Sequence, residues 1–148
     1  MKKLFTLLAL TIGFSMNAQM DDNSANNNSA GAYAVAMGYQ TSASGAYAVA
    51  MGYQTSASGN FSTAMGAFST ASGSISRAMG DQTTASGSYS TTIGSGTTAS
   101  DYASLVIGQY NSSGSSVTNN ATSFNTANTA FVIGNGTNSS NKSDAFKV

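Results

Sequence analysis

The sequence predicts an all-β protein, a parallel β-roll (solenoid) of stacked 14-residue coils. Three observations predict it. Units of that length follow one another from residue 31 to residue 114. Glycines recur within them in fixed register. Large and small side chains alternate through the first half of each unit, which is the period of a strand. A repeat of this size marks an architecture in which each unit packs only on its neighbours.

The elements follow in chain order. Lys2 and Lys3 precede an apolar run from Leu4 to Phe14, and Ala18 offers a small residue at a cleavage point. This is the layout of a secretory signal peptide over residues 1–18, with a run too short to span a bilayer. No Cys follows it, so it offers no site for lipid attachment. Residues 19–30 read as a flexible linker, and Asp21-Asp22 within it as a solvated pair. Residues 31–108 form the repeat region.

Residues 31–44 read GAYAVAMGYQTSAS, and 45–58 repeat them letter for letter. GNFSTAMGAFSTAS (59–72), GSISRAMGDQTTAS (73–86) and GSYSTTIGSGTTAS (87–100) follow, then DYASLVIGQYNSSG (101–114), which loosens in its second half. Gly38, Gly52, Gly66, Gly80, Gly94 and Gly108 hold one register, and Gly31, Gly45, Gly59, Gly73 and Gly87 open the first five units. The economical reading is two short strands per unit, each ended by a turn glycine. A helix is excluded by two glycines per unit and a filling of Ser and Thr.

Alternation sorts the first strand into two faces. One is large: Tyr33, Val35, Met37; Tyr47, Val49, Met51; Phe61, Met65; Ile75, Met79; Tyr89, Ile93; Leu105, Ile107. The other is small: Ala34, Ala36; Ala48, Ala50; Ser62, Ala64; Ser76, Ala78; Ser90, Thr92; and Ser104. Only the small face fits the inside of a thin roll, so the large stripe points outward. Monomers rarely leave such a stripe in water. The stripe therefore predicts an obligate homo-oligomer. Thr63, Arg77 and Thr91 interrupt it, and Arg77 there either reaches water or binds an anion.

Residues 109–129 break the period and read as an irregular coil or loop. Ala130-Phe131-Val132-Ile133-Gly134 restores the strand signature, but Ile133 stands 26 residues after Ile107, so the register is not simply resumed. Asn135-Gly136 marks a turn. Asp144-Ala145-Phe146-Lys147-Val148 reads as the start of a further strand, making 130–148 a final β segment cut short.

Composition excludes several kinds of chemistry. The chain has no Cys, His, Trp or Pro, and all five acids are Asp. Disulfides are impossible, a zinc site is not expected, and no His is available as a general base. A charged fraction of 7% does not suit nucleic-acid binding. The scattered Asp residues form no paired-carboxylate site. No catalytic residue, cofactor or metal is expected, and the protein does not read as an enzyme.

The run Val35-Ala36-Met37-Gly38 with Thr41, Ala43 and Gly45, and its copies through Gly108, resembles the Hep/Hag head repeat of YadA-like trimeric autotransporter adhesins. The resemblance implies a left-handed parallel β-roll assembled as a homotrimer. The large stripe, Arg77 included, would be the trimer interface. It also implies a bacterial surface module that binds extracellular matrix, cells or other surfaces. The family's heptad stalk and membrane barrel have no counterpart after Gly108, so membrane attachment is expected only through a segment absent from this chain. The ending is similar to FVIGNG segments that precede the C-terminal parts of tail-fibre-like and bacterial surface proteins.

The expected function is an exported, cell-surface or secreted adhesive head. Its contacts would lie at polar loops such as Tyr39-Gln40, Tyr53-Gln54, Ala67-Phe68 and Asp81-Gln82. Two other readings are weighed against it. One is an ice- or surface-binding solenoid that uses the ladder Thr41, Thr55, Ser69, Thr83, Thr97 beside Ser42, Ser56, Thr70, Thr84, Thr98. The other is a fibre spacer without a ligand.

Overall fold

The computed structural model describes residues 27–114 and 116–148. The signal peptide and most of the linker lie outside the described residues. The elements are β1 (Val35–Tyr39), β2 (Ser42–Ala43), β3 (Val49–Tyr53), β4 (Ser56–Ala57), β5 (Thr63–Ala67), β6 (Thr70–Ala71), β7 (Arg77–Asp81), β8 (Thr84–Ala85), β9 (Thr91–Ser95), β10 (Thr98–Ala99), β11 (Leu105–Gln109), β12 (Phe131–Asn135) and β13 (Asp144–Lys147). Long strands build one sheet in the order β1-β3-β5-β7-β9-β11-β12-β13, and short strands build a second, β2-β4-β6-β8-β10. All neighbours are parallel except β12 and β13. Pairs such as Val35↔Val49 and Met51↔Met65 hold the 14-residue register. The chain is an all-β parallel solenoid.

The core is the thin space between the two sheets. Ala34, Ala36, Ala43, Ala48, Ala50 and their copies are 0% exposed. Ser62, Ser76 and Ser90 continue the column begun by Ala34 and Ala48, equally buried. The column of Ala36, Ala50, Ala64 and Ala78 becomes Thr92, then Val106 and Val132. The interior therefore widens toward the C-terminal end, where a Cβ at Gly114 would stand 3.5 Å from Val106 and 3.8 Å from Val132.

The sequence places the first strand two residues early. Alternation is the same whether a strand begins at Tyr33 or at Val35, so period alone does not fix its start. Tyr33, Tyr47, Phe61, Ile75 and Tyr89 instead lie in turns at φ between 57° and 62°. The glycines expected at turns, Gly38, Gly52, Gly66, Gly80, Gly94 and Gly108, lie inside the long strands. Gly52 shows why that place needs glycine. Its φ is 123°, and a Cβ there would stand 2.0 Å from the carbonyl oxygen of Gly66.

The roll begins earlier than the linker reading allows. Asn28 pairs with Ser42 on the short sheet. Asn27 donates from Nδ2 to the Gly38 carbonyl and accepts from the Thr41 amide. At the other end Asn111 is buried and accepts from the Thr98 amide while donating to the Thr98 carbonyl. Asn27 and Asn111 hold the column of Thr41 to Thr97, one unit before and one unit after. Asn27 adds its side-chain bonds beside the backbone pairing of Asn28, whereas the Asn111 amide stands in for the backbone pairing that a further short strand would supply at Thr98.

After Asn111 the chain leaves the roll and returns at β12. There Leu105 pairs with Phe131 and Ile107 with Ile133, so the long sheet resumes its pairing directly although the partners stand 26 residues apart in the chain. The excursion lengthens the connection and leaves the strand register intact. β13 then folds back antiparallel on β12, covering the edge that another parallel coil would use.

Candidate functional site

The outward face of the long sheet is the surface that function must explain. Within each five-residue strand, the second residue is buried and the first and third face out. The third residues form one file: Met37, Met51, Met65, Met79, Ile93, Ile107 and Ile133. All are half-buried or exposed, and Met65, Ile93 and Leu105 stand about two-fifths exposed. Beside them runs Val35, Val49, Thr63, Arg77, Thr91, Leu105 and Phe131. The structure thus gathers the strand members of the expected stripe onto one face. It adds Phe131 and Ile133, which the broken period hid.

The remaining stripe residues belong elsewhere. Tyr33, Tyr47, Phe61, Ile75 and Tyr89 occupy the corner before each long strand, off the sheet face. Tyr33 and Tyr47 stack with ring centroids 5.0 Å apart, and Tyr47 and Phe61 at 4.9 Å. Aromatic pairs of this kind contribute about 0.5–1.5 kcal/mol beyond area burial. Tyr39 and Tyr53 stack at 5.3 Å at the opposite end of the strands, and Phe68 meets Tyr53 edge-on. The second corner, at Gln40, Gln54, Phe68 and Gln82, also runs at positive φ. Both corners keep the coil-to-coil ladder, as in the amide of Tyr47 donating to Ala32 and that of Gln54 to Tyr39.

The short sheet corrects one expectation. Thr41, Thr55, Ser69, Thr83 and Thr97 are buried between the sheets. They cannot share a surface with Ser42 and its copies, because successive strand residues face opposite ways. Ser69 Oγ instead donates to the Gly80 carbonyl and accepts from Thr83 Oγ1 at 2.8 Å. The double hydroxyl ladder proposed for ordering water is absent.

Two carboxylates organise the excursion. Asp101 stands in the column of opening glycines, is fully buried, and accepts from the amides of Thr118 at 2.6 Å and Thr129 at 2.7 Å. Burial raises its pKa, but the hydrogen bonds from Thr129 and Thr118 outweigh this and hold the carboxyl below its ordinary value. Asp144 accepts from the amides of Ser112 and Ser113 and from Ser112 Oγ. Its burial is likewise outweighed by those bonds, so its pKa is also lowered. Sequence reading missed Asp101. The available signal was a charged residue in a column otherwise filled by glycine. Among the described residues no three acidic, His or Cys side chains gather as metal ligands.

The family model of the YadA head domain repeat (2 copies) matches residues 29–55, 43–69, 57–76 and 71–97. Residues 29–97 are a YadA-like head. The matches begin at 14-residue intervals, as a solenoid of interchangeable coils requires, and they span strands β1 to β9. Neither the curated proteins nor the solved structures gave a match. The YadA head family and the β-solenoid are structural and adhesive in kind.

Proposed function

We propose that this YadA-like head is an extracellular adhesive module that assembles as a homotrimer of left-handed rolls, with the long sheets turned toward a common axis. The unbroken outward file from Met37 to Ile133 carries the reading. The roll interior is filled by Ala, Ser and Thr, with Val106 and Val132 at its C-terminal end, so these side chains have no intramolecular core to enter. Burial of each is worth on the order of 1.5–3 kcal/mol, which only a second copy can supply over the whole length of the file. The head would be exported and displayed at a bacterial surface. Its outer corners, at Gln40, Gln54, Phe68 and Gln82, would then meet extracellular matrix or cell surfaces.

Light scattering combined with circular dichroism on the purified chain tests the assembly. The expected result is a β-rich trimer, and a folded monomer at all concentrations overturns the reading. Binding to matrix-coated surfaces tests adhesion. Randomising the four outer corner residues should abolish it, whereas undiminished binding would favour a spacer role for the head.

A further inference from the structure

The head carries very little charge. Between Asn27 and Ser100 the only ionisable acid and base are Arg77 and Asp81. Both lie on β7, at its first and last positions. They are about 13 Å apart along the strand at roughly 3.3 Å per residue, too far to pair within one chain. Neither has an ion pair or side-chain hydrogen bond among the described residues. Each is flanked by small neighbours: Arg77 by Thr63 and Thr91, Asp81 by Ala67 and Ser95.

We infer that Arg77 of one protomer pairs with Asp81 of the next, forming a closed ring of ion pairs at a single level of the assembly. This rests on the homotrimer reading and deepens it. Rotation about an axis parallel to the stack keeps each coil at the same height in every copy. It brings the first end of a strand in one protomer against the last end of the same strand in its neighbour. From β1 to β9 the two ends of each long strand match in character. Val35 and Val49 share their strands with Tyr39 and Tyr53, Thr63 with Ala67, Thr91 with Ser95, and Arg77 with Asp81. The charged ends therefore meet only when the copies are level. A slip of one coil sets Arg77 against Ala67 or Ser95 and leaves the charge unpaired on an apolar face. Repeats as alike as these supply little other register, and the ring supplies it through complementarity and the cost of mismatch.

The test is a charge-reversal cycle on the purified chain, read as the oligomer dissociation midpoint by sedimentation equilibrium. Arg77→Asp and Asp81→Arg should each raise the midpoint by at least about tenfold, and the double variant should return it close to wild type. Added salt should weaken the wild type more than Arg77→Thr/Asp81→Ser, whose residues already occupy these positions in neighbouring coils. That neutral pair also separates pairing from folding, because its circular dichroism should match wild type. An oligomeric wild type whose midpoint ignores both reversals, or a double variant as weak as the singles, overturns the ring and leaves the homotrimer standing. A monomeric wild type overturns both.

Discussion

The regular roll and the C-terminal excursion are held by different forces. From Gly31 to Gln109, strand pairing and steric exclusion do nearly all the work, and the side chains inside are too small to contribute much packing. From Asn111 to Thr129, no strand forms among the described residues, and the backbone is fixed by side-chain acceptors, chiefly Asp101, Asp144 and Asn111. A periodic region fails when something is added to it. An irregular one fails when a specific polar group is removed. The two regions should therefore respond oppositely to the same kinds of change.

The largest effect is expected from Gly66→Ala. Its φ is 113°, and the new Cβ would stand 2.0 Å from the Gly80 carbonyl oxygen. Backbone cannot yield there without unpairing β5 from β7. A loss above about 4 kcal/mol is expected, read as a collapse of the denaturation midpoint. By contrast, Gly114→Ala, in the excursion, meets nothing nearer than 3.5 Å and suffers mainly from its φ of 72°. It should cost about 1–2 kcal/mol. Equal losses at the two sites would break the distinction between the regions.

Next in size is Asp101→Ala, which removes the acceptor of the Thr118 and Thr129 amides. Hydrogen bonds to a charged group are worth about 1.5–3 kcal/mol each. The loss should be local: amide exchange at Thr118 and Thr129 accelerates while the amides of β3 to β7 stay protected. Acid should act alike. The carboxyl pKa values of Asp101 and Asp144 are lowered in the fold, so their contribution is complete above the unfolded value of about 3.9. It is lost as pH falls through the folded values. Exchange in the excursion should rise over that range before the roll melts, because the amides that these two carboxylates hold, at Ser112, Ser113, Thr118 and Thr129, all lie in the excursion.

The same contrast explains what the sequence disclosed. Parallel stacking, the inward Ala and Ser face and the outward Met and Ile file were legible, because all three follow from period and side-chain volume. The strand ends were not. Tyr33 and Gln40 take positive φ although neither is a usual turn residue, since the corner geometry is imposed by the neighbouring coil. The role of Asn27 and Asn111 was present in the register, one unit outside the Thr column, but only the pairing shows an amide completing an edge. The direct pairing of Leu105 with Phe131 was hidden because period counts chain length, whereas the sheet records only which strands meet.

A smaller effect lies inside the roll. The hydroxyls of Ser62, Ser76 and Ser90 are buried without a hydrogen-bond partner among the described residues. Ala34 and Ala48 occupy the same column in the first two coils. Ser76→Ala should therefore stabilise the protein by about 1 kcal/mol, seen as a raised thermal midpoint. Ser69→Ala should do the reverse, because its hydroxyl bonds to the Gly80 carbonyl and to Thr83.

The smallest effect tests the corners that join the two sheets. Gln82 is exposed at φ 52°, and Gly96 takes the same place one coil later at φ 60°. Glycine removes the Cβ strain, about 1–2 kcal/mol, and loses about 0.5–1 kcal/mol to the entropy of the unfolded chain. Gln82→Gly should thus gain about 0.5 kcal/mol in urea denaturation. Gln54→Gly should gain less, because the Gln54 amide donates to Gln40 across the coils. Tyr110 holds this corner where the roll gives way to the excursion, at φ 40°, with its ring lying over Gly96. There the ring packing outweighs the backbone strain, so Tyr110→Gly should destabilise. Opposite signs at Gln82 and Tyr110 would locate the boundary between a region governed by backbone geometry and one governed by its side chains.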